Sequence, residues 1–294
     1  MSNRIDSSRI GLWFFLGAMT VFAIQDGLSK SLALTNHPIF VVMIRYWAFA
    51  LFVLAISARQ AGGVAAAAKS AQPGLQILRG VMLAAQICLM TFSFAYLGLT
   101  ETHAISSLYP LLIVGMGAVF LSESVGPRRW AAVLAGFVGV LIILRPGAGV
   151  FDPYALIPLL CAFIFAAYGI LTRVVGLRDA ASVSFFYTGV AGAVAMTLIG
   201  PFFAAPMPPS DWPLMAALCV TGALGHFFLI KAYEHVEASS VQPFAYWQLV
   251  LAFAIGFVVF EEPIDLWTVV GATLVVAAGL FALARQRKAE ARSA

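Results

Sequence analysis

Few residues in this sequence could do chemistry, and they stand inside long apolar runs. Asp26 and Arg45 are the sharpest pair. Asp26 lies about seven residues before the end of one run and Arg45 about seven after the start of the next. At 1.5 Å per residue, both then sit about 10 Å below the same surface. Antiparallel neighbours would bring them together as a gate or substrate-charge site. The plain alternatives are a structural ion pair, or an arginine whose stem snorkels to the interface. Gln86 and His226 lie deeper. An amide receives a zwitterion without adding charge. A histidine can take and release a proton, or simply bond a backbone carbonyl. Tyr109, Tyr168, Tyr246, Trp247 and Gln248 add hydroxyls, an indole N–H and a second amide. Pro110 and Pro243 each remove a helix hydrogen bond and are expected to kink or hinge the helices that carry these groups. Polar side chains at such depth are costly and point to function by default.

No enzyme machinery accompanies them. The sequence has no HExxH, GxSxG or Walker loop, so hydrolysis at a zinc or serine centre and direct use of a nucleotide are not expected. Cys88, Cys161 and Cys219 stand alone, which argues against a zinc site or disulfide framework. No cofactor or metal is expected.

The elements that must position these groups follow from composition. Of 294 residues, 62% are hydrophobic and 10% charged. Soluble domains run at about 45–50% apolar and 25% charged, so this chain cannot cover a water-facing surface. A nucleic-acid binder is excluded too, because the net charge of +4 comes from cations spread singly along the chain. Ten runs are long enough to cross a bilayer as helices: 10–33, 37–57, 75–98, 102–121, 129–145, 153–173, 180–201, 212–232, 239–260 and 265–284, here spans 1 to 10. They do not alternate as barrel strands would. The first is expected to stay as a membrane helix rather than be cleaved.

With the N-terminus in the cytoplasm, fourteen of the 17 Lys and Arg fall on the cytoplasmic side. Only Lys30 and Arg145 fall outside, and Arg45 lies within a span. That bias sets the orientation and supports an even span count, with both termini cytoplasmic in a bacterial-type inner membrane.

The halves resemble each other. AYLGLTETHAISSLYP (95–110) aligns with AYEHVEASSVQPFAYW (232–247), and an acidic residue follows each, Glu123 and Glu261–Glu262. Five spans per half is odd, so the second half is expected to be inverted. The junction SESVGPRR after span 4 is basic, while FEEPID after span 9 is acidic. Inverted repeats place a substrate site near midplane at their interface. The glycines of spans 5 and 10, among them Gly136, Gly139, Gly271 and Gly279, are expected to pack helices closely.

Lys30, Pro38, Arg45, Arg79–Gly80, Ala95–Tyr96, Pro110, Glu123, Arg173, Ala232, Pro243 and Glu262 carry, in this order, a resemblance to the drug/metabolite transporter superfamily. The chain is similar to its ten-helix EamA-type exporters, and within them to YddG-type exporters of aromatic amino acids and related metabolites. The resemblance implies an all-α integral membrane protein of ten helices, built as two inverted five-helix repeats around a central cavity, here residues 1–148 and 149–294. It also implies that spans 1, 3, 4, 6, 8 and 9 surround the cavity and that spans 5 and 10 pack at the side.

The expected function is secondary transport by alternating access, exporting small, partly hydrophobic metabolites such as amino acids. The expected site is a midplane cavity lined by Gln86, Tyr109, Tyr168, His226, Tyr246, Trp247 and Gln248. The expected partners are the small-molecule substrate and the bilayer, with the chain acting as a monomer. Efflux of hydrophobic cations, or a membrane enzyme or lipid-handling scaffold, are the alternatives. Both want an unpaired midplane carboxylate or clustered acids, and Asp26 is the one carboxylate well inside a span.

Overall fold

The computed structural model describes residues 2–121, 126–145, 152–235 and 242–293. Glu123 lies outside them, as does the side chain of Pro243. The fold is a helical bundle in which each expected span appears. Spans 1, 2 and 3 are the helices Ser2–Ala33, Pro38–Arg59 and Pro73–Tyr96; spans 5 to 8 are Pro127–Leu144, Leu156–Gly176, Ala181–Ile199 and Trp212–His235; span 10 is Leu266–Ser293. Proline stands in the first turn of spans 2, 3 and 5, where its fixed φ suits a helix start and its missing N–H is no loss.

Span 4 is broken, and the described part of span 9 opens irregularly. Span 4 runs as Leu99–Ser106 and Tyr109–Phe120, with Pro110 in the first turn of the second piece. Span 9 opens with a 3-10 turn at Gln242–Ala245, which contains Pro243, and continues as Tyr246–Phe260. Each proline stands at the start of the helical piece that follows it. Neither lies mid-helix.

Several span contacts recur when span n is exchanged for span n + 5, although spans 1 and 3 pack together and spans 6 and 8 do not. Span 1 packs on 8 and span 6 on 3; span 1 on 9 and span 6 on 4; span 3 on 7 and span 8 on 2. Spans 2 and 7, 4 and 9, and 5 and 10 pack on each other. Spans 5 and 10 meet backbone to backbone. A Cβ on Gly139 would stand 2.8 Å from the carbonyl oxygen of Gly271, and one on Gly271 2.5 Å from that of Gly139. Only glycine permits that approach. Many large apolar side chains stay on the surface, Leu51, Val119, Leu134, Leu198 and Val258 among them, as lipid-facing helices require.

Candidate functional site

Polar side chains gather in three layers along the bundle. At one end, Lys30 of span 1 forms an ion pair with Glu262, which follows span 9. The same carboxylate accepts the backbone N–H groups of Leu99 (2.7 Å) and Thr100 (2.9 Å). A carboxylate there satisfies orphan donors at the start of span 4 and complements the helix dipole. The turn into span 4 passes through Gly98 at φ 92°, where a Cβ would stand 2.7 Å from Glu262. Burial pushes the Glu262 carboxyl up, but Lys30 and the donors of Thr100 and Leu99 together hold it below its ordinary 4.5. Arg145 pairs with Asp265 at this end. Both cations that break the charge bias are thus answered by the FEEPID segment. Beside them, Glu101, Arg145, Asp152, Glu262 and Asp265 line a cleft of about 320 Å³.

At the opposite end, Arg79 is 2% exposed. Its guanidinium donates to the Tyr168 hydroxyl (3.0 Å), the Thr188 hydroxyl (2.8 Å), the Ser184 carbonyl and, more weakly, to Gln76 and Thr172. Gln76 donates in turn to Asp179 at 2.9 Å. Hydrogen bonds from Ser70 and Gln76 hold that carboxyl below its ordinary range. This network ties spans 3, 6 and 7. Arg79→Lys is expected to lower thermal stability and folded yield, by about 2–3 kcal/mol, because a point-charge ammonium cannot serve a planar fork of acceptors. A melting curve of the purified variant checks it.

The middle layer holds the candidate site. Arg45, Tyr46 and Phe49 of span 2, Leu83 and Ile87 of span 3, and Cys219, Gly222 and His226 of span 8 line a cavity of about 20 Å³. That is room for about one water, so this conformation is contracted. The His226 ring stacks on Phe49 with centroids 4.5 Å apart and meets Phe22 and Phe185 edge-on. The Tyr46 hydroxyl is buried without a hydrogen-bond partner, as is the Gln25 amide oxygen. Arg45 makes no hydrogen bond or ion pair with any described residue. A guanidinium left open among aromatic faces and an orphan hydroxyl has the chemistry to accept an anionic group on a flat body.

The expected Asp26–Arg45 pair is not made. Asp26 Oδ2 instead meets His103 Nε2 at 3.1 Å and accepts from Gln248 Nε2 at 2.8 Å. Counted along the helices the depths match, but the directions differ. Span 1 packs mainly on spans 8 and 9 and span 2 mainly on span 7, with only slight contact between spans 1 and 2. Asp26 therefore looks toward spans 4 and 9, and Arg45 toward spans 3 and 8. Arg45 still feels the Asp26 charge, though not by contact.

Of the seven expected lining residues, His226 reaches this cavity. Gln86 sits beside lining residue Ile87, half-buried, with no side-chain hydrogen bond among the described residues. Tyr168 serves Arg79, and Tyr109 packs edge-on against Phe165. The Tyr246 hydroxyl presses against Gly279 of span 10. Trp247 is 42% exposed and donates to Thr20 of span 1, while Gln248 serves Asp26. Span 2, absent from the expected wall, supplies three of its residues. His103 is the group that sequence reasoning missed. It stands five residues into span 4, in a polar TETH run that resembles a flank.

Nine helices, Tyr246–Phe260 besides, are apolar and long enough among the described residues to build a membrane bundle, and the site lies inside it. These features define a multi-pass membrane protein with an internal polar site. The model of the EamA-like transporter family matches residues 9–145 and again 153–284, and the chain belongs to that family. It is 26% identical to the S-adenosylmethionine uptake transporter of Rickettsia bellii, covering 98% of each chain. It is 27% identical to the pseudopaline exporter CntI of Pseudomonas aeruginosa, over 97% of this chain and 99% of the other. It is 30% identical to the riboflavin transporter of Vibrio cholerae, over 86% and 83%. A solved crystal structure superposes with TM-score 0.63 at 18% identity, covering 97% of this chain and 99% of that one; this likeness concerns the fold. These relatives are not aromatic amino-acid exporters, so that narrower resemblance gains no support from them.

Proposed function

We propose that the chain carries small carboxylate-bearing metabolites with a flat or apolar body, amino acids and their derivatives first, across a bacterial inner membrane by alternating access. The observation that carries this reading is the unpartnered guanidinium of Arg45 in a central cavity beside the Phe49–His226 stack. The guanidinium would take the carboxylate in two parallel hydrogen bonds. The aromatic faces would take the body of the substrate, with offset stacking worth about 0.5–1.5 kcal/mol beyond area. One relative's substrate has both parts and another's has the flat body without a carboxylate. S-adenosylmethionine joins an amino-acid end to a purine, and riboflavin carries a flat ring system.

A fixed cation in the cavity disfavours hydrophobic-cation efflux. The relatives include uptake carriers and an exporter, and a reversible carrier takes its direction from the gradients, so export is a matter of conditions. Both termini are cytoplasmic in this reading, and FEEPID faces out.

Counterflow in proteoliposomes tests it, with radiolabelled phenylalanine, S-adenosylmethionine and riboflavin against decarboxylated phenethylamine. Saturable exchange of a carboxylate-bearing probe is expected, with phenethylamine excluded. Preference for phenethylamine sinks the proposal. Impermeant labelling of Glu261→Cys from outside whole cells is expected, and labelling only after lysis inverts the topology.

A further inference from the structure

We propose that Asp26 and His103 form a proton-carrying site, distinct from the substrate cavity, that couples transport to the proton gradient. The proposal rests on the carrier function above.

The pair is a carboxylate and an imidazole in contact at 3.1 Å inside the membrane-spanning bundle, with side chains 14% and 11% exposed. It joins span 1 to span 4, and Gln248 ties it to span 9. His103 lies in the last turn before the break in span 4, so the pair sits beside a point where backbone regularity is given up. His103 is also clamped face-on against Phe94, centroids 5.5 Å apart. Both hydrogen bonds to Asp26 end on Oδ2; Oδ1 and His103 Nδ1 have no hydrogen-bond partner among the described residues.

The proton balance is simple. A proton from water on the acidic side adds to His103 Nδ1, and the Nε2–H···Oδ2 contact becomes an ion pair. On the alkaline side the same proton leaves to water, and the neutral imidazole remains bonded to the carboxylate. No other reactant is needed.

The charged and titratable groups around the pair are few. Arg45 lies on span 2; Cys88 of span 3 and Cys219 and His226 of span 8 neighbour Arg45 rather than the pair. Lys30 stands one turn along span 1 and is held by Glu262, and Glu101 lies on span 4; span 9 presents neutral Gln248. Arg45 is the one whose charge is coupled to Asp26 without contact. A substrate carboxylate that neutralises Arg45 removes a cation from the neighbourhood of the pair and favours proton uptake there. Protonation in turn withdraws the negative field of Asp26 from Arg45 and favours an anion on it. Such reciprocity is required of any two coupled binding sites.

The test separates exchange from coupled flux in the full-length chain, with potassium and valinomycin clamping the potential and phenylalanine and S-adenosylmethionine as probes. At equal pH and saturating probe, counterflow by Asp26→Asn and His103→Asn is expected within about twofold of wild type, since neither lines the cavity and loss of the Asp26 charge shifts half-saturation rather than maximal exchange. Under one unit of pH gradient, wild type is expected to concentrate the probe up to about tenfold, and both variants to stop at equilibrium. Accumulation by either variant, or none by wild type with normal counterflow, overturns the proposal. If wild type exchanges neither probe, the substrate reading fails and a ligand-free arm decides the proton site. The imidazole ¹⁵N signal lost in His103→Asn must then titrate differently in Asp26→Asn; an unchanged titration overturns the site.

Discussion

Replacing Arg45 with glutamine is expected to weaken transport of a carboxylate-bearing substrate about 10- to 100-fold in half-saturation, while leaving the protein at least as stable. The first half follows from the loss of charged hydrogen bonds, about 1.5–3 kcal/mol for such a contact. The second follows from what Arg45 does not do. It holds no partner among the described residues, so its removal orphans nothing and relieves a buried charge of its desolvation. Arg45→Lys keeps the charge but not the fork, and is expected to restore only part of the affinity. Concentration-dependent counterflow and a melting curve on the same preparations check both halves. A destabilised R45Q with unaltered half-saturation would assign Arg45 to the scaffold.

Glu262→Gln is expected to do the reverse, lowering folded stability first. A buried pair stripped of one partner loses about 3–5 kcal/mol, and side-chain exposures of 10% for Lys30 and 12% for Glu262 put this pair at the lower end. The donors of Leu99 and Thr100 would also lose a charged acceptor, though the amide oxygen keeps part of the cap. A double-mutant cycle with Lys30→Met is expected to recover much of the loss, because the stranded ammonium goes with it.

The pH dependence has a definite sign. The folded carboxyl titrates below its ordinary 4.5, so its contribution is present above that value and fades as pH falls through the lower folded one. Wild type is therefore expected to lose stability on acidification below pH 4.5, with the slope reduced in E262Q. Equal acid slopes in the two proteins would remove Glu262 from this role.

Much of this bundle was legible in the sequence. Ten apolar runs marked the spans, whereas Pro110 and Pro243, read as kinks, stand at the starts of helical pieces. The lone outer cations Lys30 and Arg145 and the acidic FEEPID segment were visible as opposites, although nothing in the sequence paired them. Gly139 and Gly271 announced the close approach of spans 5 and 10. Arg79 was legible only as a flanking charge, because it stands seven residues into its helix, where a solvated arginine is equally expected; the tertiary contact with spans 6 and 7 buries it. His103 was hidden in the same way by its place near a span start.

Sequence alone determined the spans and their approximate extent, because crossing hydrocarbon demands about 20 apolar residues and closed backbone hydrogen bonding. It determined which residues sit at depth, by counting along each helix. Only the tertiary structure decided which way they face. In a soluble helix, water marks the outer face with polar residues, and the pattern reveals the inner one. Here lipid is as apolar as the interior, so the periodicity that would orient Asp26 and Arg45 is missing. The two side chains share a depth and yet belong to different sites because span 8 packs against both span 1 and span 2, and that contact is written in side-chain shape rather than polarity.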